Sequence, residues 1–176
     1  MKKIFLFVLM SCALLADTKI GYIDSGVILS KYEDVRQVQV ELEKEQKKLQ
    51  VIYETKISSL DSLRNAYETR SMLMSEEKQT EILNSMSQKE AELQQWQLQY
   101  FGPEGELYRM QNELMAPILR TIDQALDKVG KEKSYDYIFD ASSGGIVYAL
   151  DTHNLTQDIL DELKKINTSI DIDQLK

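Results

Sequence analysis

Cysteine, histidine and proline are scarce in this chain of 176 residues, and each scarcity excludes a class of structure or site. There is one cysteine, Cys12, one histidine, His153, and there are two prolines. Since Cys12 lies in the N-terminal apolar run, the rest of the chain can form no disulfide and no thiolate site. One histidine excludes metal sites built from several imidazoles. No phosphate-binding loop, nucleophile elbow or zinc pattern occurs, so we expect no catalytic residues, no cofactor and no metal.

Three acidic residues at predicted strand ends are the remaining candidates for acid chemistry or metal ligation. They are Asp24, Asp136 and Asp140. An enzyme would need them in a pocket with shifted pKa values, and nothing in their spacing demands one. We interpret them as residues that cap or end strands, and His153 as a loop residue. The protein is therefore predicted not to be an enzyme.

Glycine is also sparse, and positive charge is outnumbered by negative charge. With only 7 Gly the chain must spend long stretches in uninterrupted elements, because tight turns call for Gly and Pro. Lys2 and Lys3 are the only charged residues in 1–16, so beyond them 19 basic residues face 29 acidic ones, a net charge of −10. This balance predicts no nucleic-acid partner and no adsorption to anionic lipid. It suits basic or unfolded partners.

Residues 1–16 have the pattern of a secretory signal peptide. Lys2 and Lys3 precede an apolar run from residue 4 to residue 15. The run is too short for a membrane-spanning helix, which takes about 20 residues. Cleavage after Ala16 would release the protein into the periplasm. In an alternative interpretation, residues 9–12 form a lipobox with an atypical Met, and Cys12 becomes a lipid-anchored N-terminus.

The spacing of apolar residues predicts a long helical arm over residues 35–129. A narrow apolar stripe recurs three, four or seven residues apart, and no Gly or Pro occurs from 27 to 101. So narrow a stripe favours a single partner helix. The weakly charged segment 71–76, in which Ser75 resembles a helix cap, predicts the tip of an antiparallel hairpin.

The return helix is interrupted by the strongest break of the chain, at residues 102–105. Gly102, Pro103 and Gly105 disfavour a continuous helix, since Pro103 lacks an N–H and clashes with the preceding turn. This break faces residues 43–48, where the outbound stripe has its one polar gap. Because both helices lose apolar packing at one height, we expect a hinge at Gly102, Pro103 and Gly105.

A β-rich body with a C-terminal helix is predicted from residues 17–34 and 130–176. The predicted strands are 20–24, 135–140 and 146–150, with a turn at 142–145 before the last of them. Three short strands make a poor independent core, so we expect trimerisation to complete the sheet and protect its edges. The fold class is α+β: a long antiparallel helical hairpin that projects from a small β body of about three strands per chain.

Aromatic and methionine side chains at the edge of the helical seam are the candidates for client binding. One interpretation is that they only pack the seam. The other is that they form an adaptable apolar lining for unstructured clients, for which flexible, polarizable Met is well suited. The candidates are Tyr53, Tyr67, Met72, Met74, Met86, Trp96, Tyr100 and Phe101.

Several segments, in the order short strand, long coiled arm, strand pair and final helix, carry a resemblance to a known family. They include IGYID at 20–24, YFGPEGEL at 100–107, and the segments 113–118, 135–140, 146–149 and 151–160. In these segments the chain resembles the Skp/OmpH family of periplasmic chaperones. The resemblance implies a homotrimer with a small β-barrel body and projecting arms, ATP-independent capture of unfolded outer-membrane proteins, and no catalytic residues.

The acidic charge departs from the well-known members of that family, which are basic. It therefore speaks against contact with lipopolysaccharide. An alternative function fits the same hairpin: a structural or scaffolding coiled-coil protein of the cell envelope that binds a folded partner. Acylation at Cys12 would make it a lipoprotein.

Overall fold

The structure, a computed structural model, describes residues 18–166. The signal peptide predicted at 1–16, the lipidation considered at Cys12 and the C-terminal segment 167–176 lie outside these residues. Within 18–166, no helix is long and apolar enough to cross a membrane.

Two short strands and five α-helices make up the described chain. They are β1 (Ile20–Ile23), α1 (Ser25–Lys31), α2 (Glu33–Arg70), α3 (Glu76–Phe101), α4 (Glu106–Glu132), β2 (Tyr137–Asp140) and α5 (Thr156–Ile166). A short 3₁₀ turn, Ser71–Leu73, connects α2 to α3. The fold class is confirmed: a long antiparallel helical hairpin is joined to a small sheet.

The sheet pairs the two ends of the fold. β1 and β2 run parallel, with Ile20 opposite Tyr137 and Ile23 opposite Asp140. A side chain on Gly21 would lie 2.9 Å from the Tyr135 ring, so the close packing at this strand position requires glycine. The Asp24 carboxylate accepts a hydrogen bond of 2.9 Å from the Val27 N–H and caps α1.

The core lies where the sheet, the base of the hairpin and α5 meet. Its fully buried members come from four different helices, among them Ile28 in α1, Val38 in α2, Ile118 in α4 and Ile159 in α5. The buried Glu162 carboxylate accepts a hydrogen bond of 2.6 Å from Lys128, which joins α5 to α4. The base of the arm is thus packed into the body.

The predicted strand at 146–150 is wrong for the single chain, in which the described residues form a two-stranded sheet. A turn does follow β2, and Gly144 has a left-handed φ of 76° there. It does not return the chain along β2, whose partner in the sheet is β1. Without a neighbouring backbone to pair with, the segment has strand composition but no ladder. Val147 and Tyr148 are almost fully exposed.

Helical structure begins before the predicted arm. A separate short helix, α1, ends at Lys31 before α2 begins at Glu33. Tyr32 separates the two helices with an extended ψ of 120°. The apolar spacing continues across this kink because both helices face the same core.

Candidate binding surfaces

Four of the predicted client-binding residues form one aromatic cluster on the arm. The rings of Tyr53 and Trp96 stack across the hairpin, with centroids 5.9 Å apart and planes at 19°. Tyr100 tilts against Trp96 at 4.8 Å, and Phe101 meets it edge-on at 5.7 Å. Tyr53, Trp96 and Tyr100 are half-buried, and Phe101 is exposed. The cluster therefore packs the seam and offers ring surface to solvent at once, as both interpretations of these residues allowed.

The other four predicted residues lie closer to the tip and do not join this cluster. Tyr67 and Met86 are half-buried along the seam between α2 and α3, and Met74 is half-buried beside the tip turn. Met72 is 98% exposed at the tip itself. The structure thus distributes the predicted set over two places, an aromatic cluster near the break in the return helix and an apolar tip.

The tip presents one apolar side chain that the sequence analysis missed. Leu73, next to Met72, is 89% exposed. The turn beneath it is held in place because the Gln79 side chain donates to the carbonyls of Ser71, at 2.8 Å, and Met74, at 3.3 Å. The lack of charge over this short segment was the signal that could have marked the whole tip as apolar.

The predicted hinge residues form a compact turn between α3 and α4. The Gly102 N–H donates to the Leu98 carbonyl at 3.1 Å, and the Gly105 N–H donates to the Gly102 carbonyl at 2.9 Å. A Cβ on Gly102 would overlap the Leu98 carbonyl oxygen, and one on Gly105 would lie 2.8 Å from the Tyr100 carbonyl oxygen. Both glycines are required by close backbone approach. α2 continues unbroken beside this turn.

The body carries a second surface, an open apolar groove beside β1. Its volume is about 760 Å³, and its walls come from residues 18–22, Phe139 and the extended segment 146–150, with His153 at one side. Several large apolar side chains in or beside it remain exposed, including Ile20, Phe139 and Leu150. An apolar area of this kind on a soluble domain marks a contact surface for another macromolecule.

A carboxylate near this groove joins two elements of the body. The Asp140 carboxylate accepts hydrogen bonds from the Ser25 hydroxyl at 2.6 Å, the Ser25 N–H at 3.1 Å and the Ser142 N–H at 3.0 Å. These donors, led by the Ser25 hydroxyl, lower the pKa of Asp140 from its ordinary 3.8 to about 2. The carboxylate joins the end of β2 to the start of α1.

The three acids considered for chemistry each have a structural partner. Asp24 caps α1, Asp140 bonds Ser25, and the Asp136 carboxylate accepts a hydrogen bond of 2.8 Å from the Lys19 N–H. Among residues 18–166, no three His, Cys, Asp or Glu side chains come together to hold a metal ion. The exposed apolar surfaces of the described residues are the aromatic cluster, the tip and the groove.

This architecture agrees with comparisons with known proteins. Residues 19–163 match the model of the family described as outer membrane protein (OmpH-like). The chain belongs to the OmpH-like family. A search of curated proteins gave no match.

One solved structure similar to this chain comes from Caulobacter crescentus CB15, where it is described as a candidate OmpH-like outer membrane chaperone. The two folds superpose with a TM-score of 0.75, covering 87% of this chain and 88% of the other at 9% identity. That likeness shows a shared fold.

Proposed function

We propose that this protein is an ATP-independent holdase chaperone that binds unfolded outer-membrane proteins in the periplasm and prevents their aggregation. The aromatic cluster on the arm carries the proposal, because it exposes apolar ring surface far from the body core. An unfolded barrel strand also exposes apolar side chains, so contact between the two removes both from water. The OmpH-like family and the fold of the Caulobacter protein support the same role.

We further propose that the body trimerises through the groove beside β1. A two-stranded sheet is marginal alone, and the segment 146–150 has the composition of a strand without a partner in its own chain. A second copy could supply that partner. In this assembly, residues 17–34 and 130–176 would form the common body, and residues 35–129 of each chain would project from it as an arm.

The turn at Gly102, Pro103 and Gly105 is proposed to be the hinge of the arm. It is the one interruption in the return helix, and the seam there lacks large apolar contacts on α2 between Leu42 and Leu49. Bending at this height would bring the aromatic cluster closer to a bound client. Export by the N-terminal signal would place the protein in the periplasm, either free or anchored at Cys12, and its acidity speaks against lipopolysaccharide as a partner.

The aggregation of a denatured β-barrel membrane protein tests the function. The denatured membrane protein, diluted from urea into buffer without ATP, should scatter light strongly by itself and only weakly in the presence of a molar excess of the chaperone. A Trp96→Ala/Phe101→Ala double variant should protect less well, and circular dichroism should show that it keeps its helices. Equal scattering with and without the wild-type chain would refute the proposal.

A scaffolding role is the second candidate, and the tip favours it. Met72 and Leu73 project from a turn that Gln79 holds rigid, and such a fixed apolar knob suits a pocket on a folded partner. A pull-down from envelope extract distinguishes the two roles. One stoichiometric folded partner that is lost with Leu73→Ser would favour the scaffold, whereas a mixture of barrel proteins would favour the chaperone.

A further inference from the structure

Away from the tip, the hairpin has one height at which facing segments of both helices lack charge, and we call this zone the collar. It consists of residues 49–53 of α2 and residues 93–101 of α3, and none of its 14 residues is Asp, Glu, Lys or Arg. At the chain's average of 28% charged residues, a zone of this size would hold about four. Tyr53 stacks on Trp96 across the hairpin, so the two segments lie side by side and surround the arm at one height.

At this height several apolar side chains lie outside the seam and face solvent. Val51 and Leu98 are each 62% exposed, Ile52 is 44% exposed and Phe101 is 37% exposed. The seam itself is filled here by Leu49, Tyr53, Trp96 and Tyr100, which are buried or half-buried. The exposed residues therefore do not pack the hairpin. They are surplus apolar surface on the outer side of the helix pair.

Glutamines occupy the remaining outer positions of α3 in the collar. Gln94, Gln95, Gln97 and Gln99 are all exposed. Within the described part of the chain, no side-chain hydrogen bond engages these four amides. By contrast, the amide of Gln88, nearer the tip on the same helix, donates to Glu92 at 3.0 Å. Each free amide offers two donors and an acceptor, which are the groups that an unpaired peptide backbone needs.

We propose that the collar is the surface that holds the client, and that its ligand is an extended, uncharged, apolar segment of unfolded polypeptide. This inference rests on the proposed chaperone function and assigns its binding chemistry. Exposed Val51, Ile52, Leu98 and Phe101 cover apolar client side chains, and the free glutamine amides bond the client backbone. Strands of a membrane barrel, in which apolar lipid-facing residues alternate with polar ones, offer such apolar side chains in an extended chain.

The dimensions of the collar agree with such a ligand. Nine helical residues from 93 to 101 extend about 12 Å along the arm, which matches about four residues of extended chain. A short contact repeated on several arms suits weak, reversible capture. Because no charged pair takes part, binding should change little with ionic strength, although the protein as a whole is strongly acidic.

A charge placed in the collar should weaken binding, because client contact would desolvate it without a partner. Leu98→Lys and Val51→Lys introduce that charge at exposed sites, so the fold tolerates it. Leu83→Lys on α3 and Val40→Lys on α2 are matched controls, since both side chains are exposed outside the collar. The collar variants should bind at least about fivefold more weakly, and the controls should stay within about twofold of the wild type.

Trp96 reports binding directly, because it is the only tryptophan of the chain and lies in the collar. The probe is a short tryptophan-free peptide of alternating apolar and hydroxyl-bearing residues, titrated into the mature protein. The change in Trp96 emission should give the same affinity at about 0.05 M and about 0.5 M salt. A second peptide, with Lys and Glu in place of the hydroxyl-bearing residues, should bind more weakly.

The outcomes separate this inference from the function on which it rests. If the wild type neither binds the peptide nor prevents aggregation of a denatured barrel protein, the chaperone function itself fails. If it prevents aggregation but Leu98→Lys and Leu83→Lys bind the peptide equally well, only the collar is refuted. A steep loss of affinity with salt in the wild type would also refute the collar, because it would require charge pairing.

Discussion

Asp140 shows how much of this body depends on a single side chain. Its carboxylate accepts hydrogen bonds from Ser25 and Ser142. It thereby connects β2, which follows the arm in the chain, to α1, which precedes the arm. The sequence predicted that this residue ends a strand. It could not predict the partner, because Ser25 lies 115 residues away along the chain.

Replacement of Asp140 by Asn should lower stability in a pH-dependent way. The variant loses charge-assisted hydrogen bonds, so its free energy of unfolding should be about 1–2 kcal/mol below that of the wild type at neutral pH. Since folding lowers the pKa of Asp140 to about 2, this advantage is complete above the unfolded pKa near 4 and disappears as pH falls towards 2.

Urea unfolding of both proteins from pH 7 down to pH 2 measures this difference. The gap between wild type and Asp140→Asn should close between pH 4 and pH 2. Asp151→Asn is the control, since Asp151 is an exposed carboxylate, and it should change stability by less than about 0.5 kcal/mol. A gap that stays constant over that range would contradict the assigned role.

Residue-scale prediction failed where exposure rather than spacing was the signal. Leu73 and Leu98 are among the most exposed apolar residues of the arm, yet neither was a candidate. Spacing identifies side chains that face a partner helix, and Leu98 faces away from it. Trp96 and Tyr53 were found because they occupy seam positions and still leave ring surface uncovered.

At the scale of elements, the hairpin was predictable and the sheet was only partly so. A helix makes its hydrogen bonds locally, so the apolar period and the absence of Gly and Pro were enough to predict α2 and α3. A strand needs a neighbour. Residues 20–23 pair with residues 137–140, whereas 146–150 has no strand partner among the described residues of its own chain. Composition alone cannot distinguish these cases.

The turn between α3 and α4 gives a prediction at this scale. Gly102→Ala should destabilise the arm by about 1–3 kcal/mol, because the added Cβ would overlap the Leu98 carbonyl oxygen and force the turn to shift. Pro103→Ala is the control, since Pro103 is exposed, and it should change stability by less than about 1 kcal/mol. Thermal unfolding followed by circular dichroism checks both. An equal loss in the two variants would show that close approach is not what the turn requires.

At the scale of the whole molecule, the described chain has more apolar surface than it can cover. The groove beside β1 and the segment 146–150 lie at the body, while the collar and the tip lie on the arm. Their separation is consistent with the proposal that each surface has its own partner. The body surface suits identical copies of the chain, and the arm surface suits a client.

Tyr148→Asp should weaken assembly of the body. Tyr148 is 83% exposed in the single chain, and a carboxylate there would be buried without a partner in the trimer. Sedimentation should show a trimer for the wild type at micromolar concentration. The concentration below which the trimer dissociates should be at least about tenfold higher for the variant than for the wild type. Tyr108→Asp, at an exposed tyrosine on α4, should sediment as the wild type does. A stable wild-type monomer would exclude this mode of assembly.

The mass of a complex with an unfolded client tests whether three copies of this chain hold one client in solution. A urea-denatured β-barrel membrane protein is diluted into the mature chain without ATP, and the mixture is separated by size-exclusion chromatography with light-scattering detection. A soluble peak whose mass equals three chains and one client is expected. Elution of the chain without client, with all of the client in the aggregate, would contradict it.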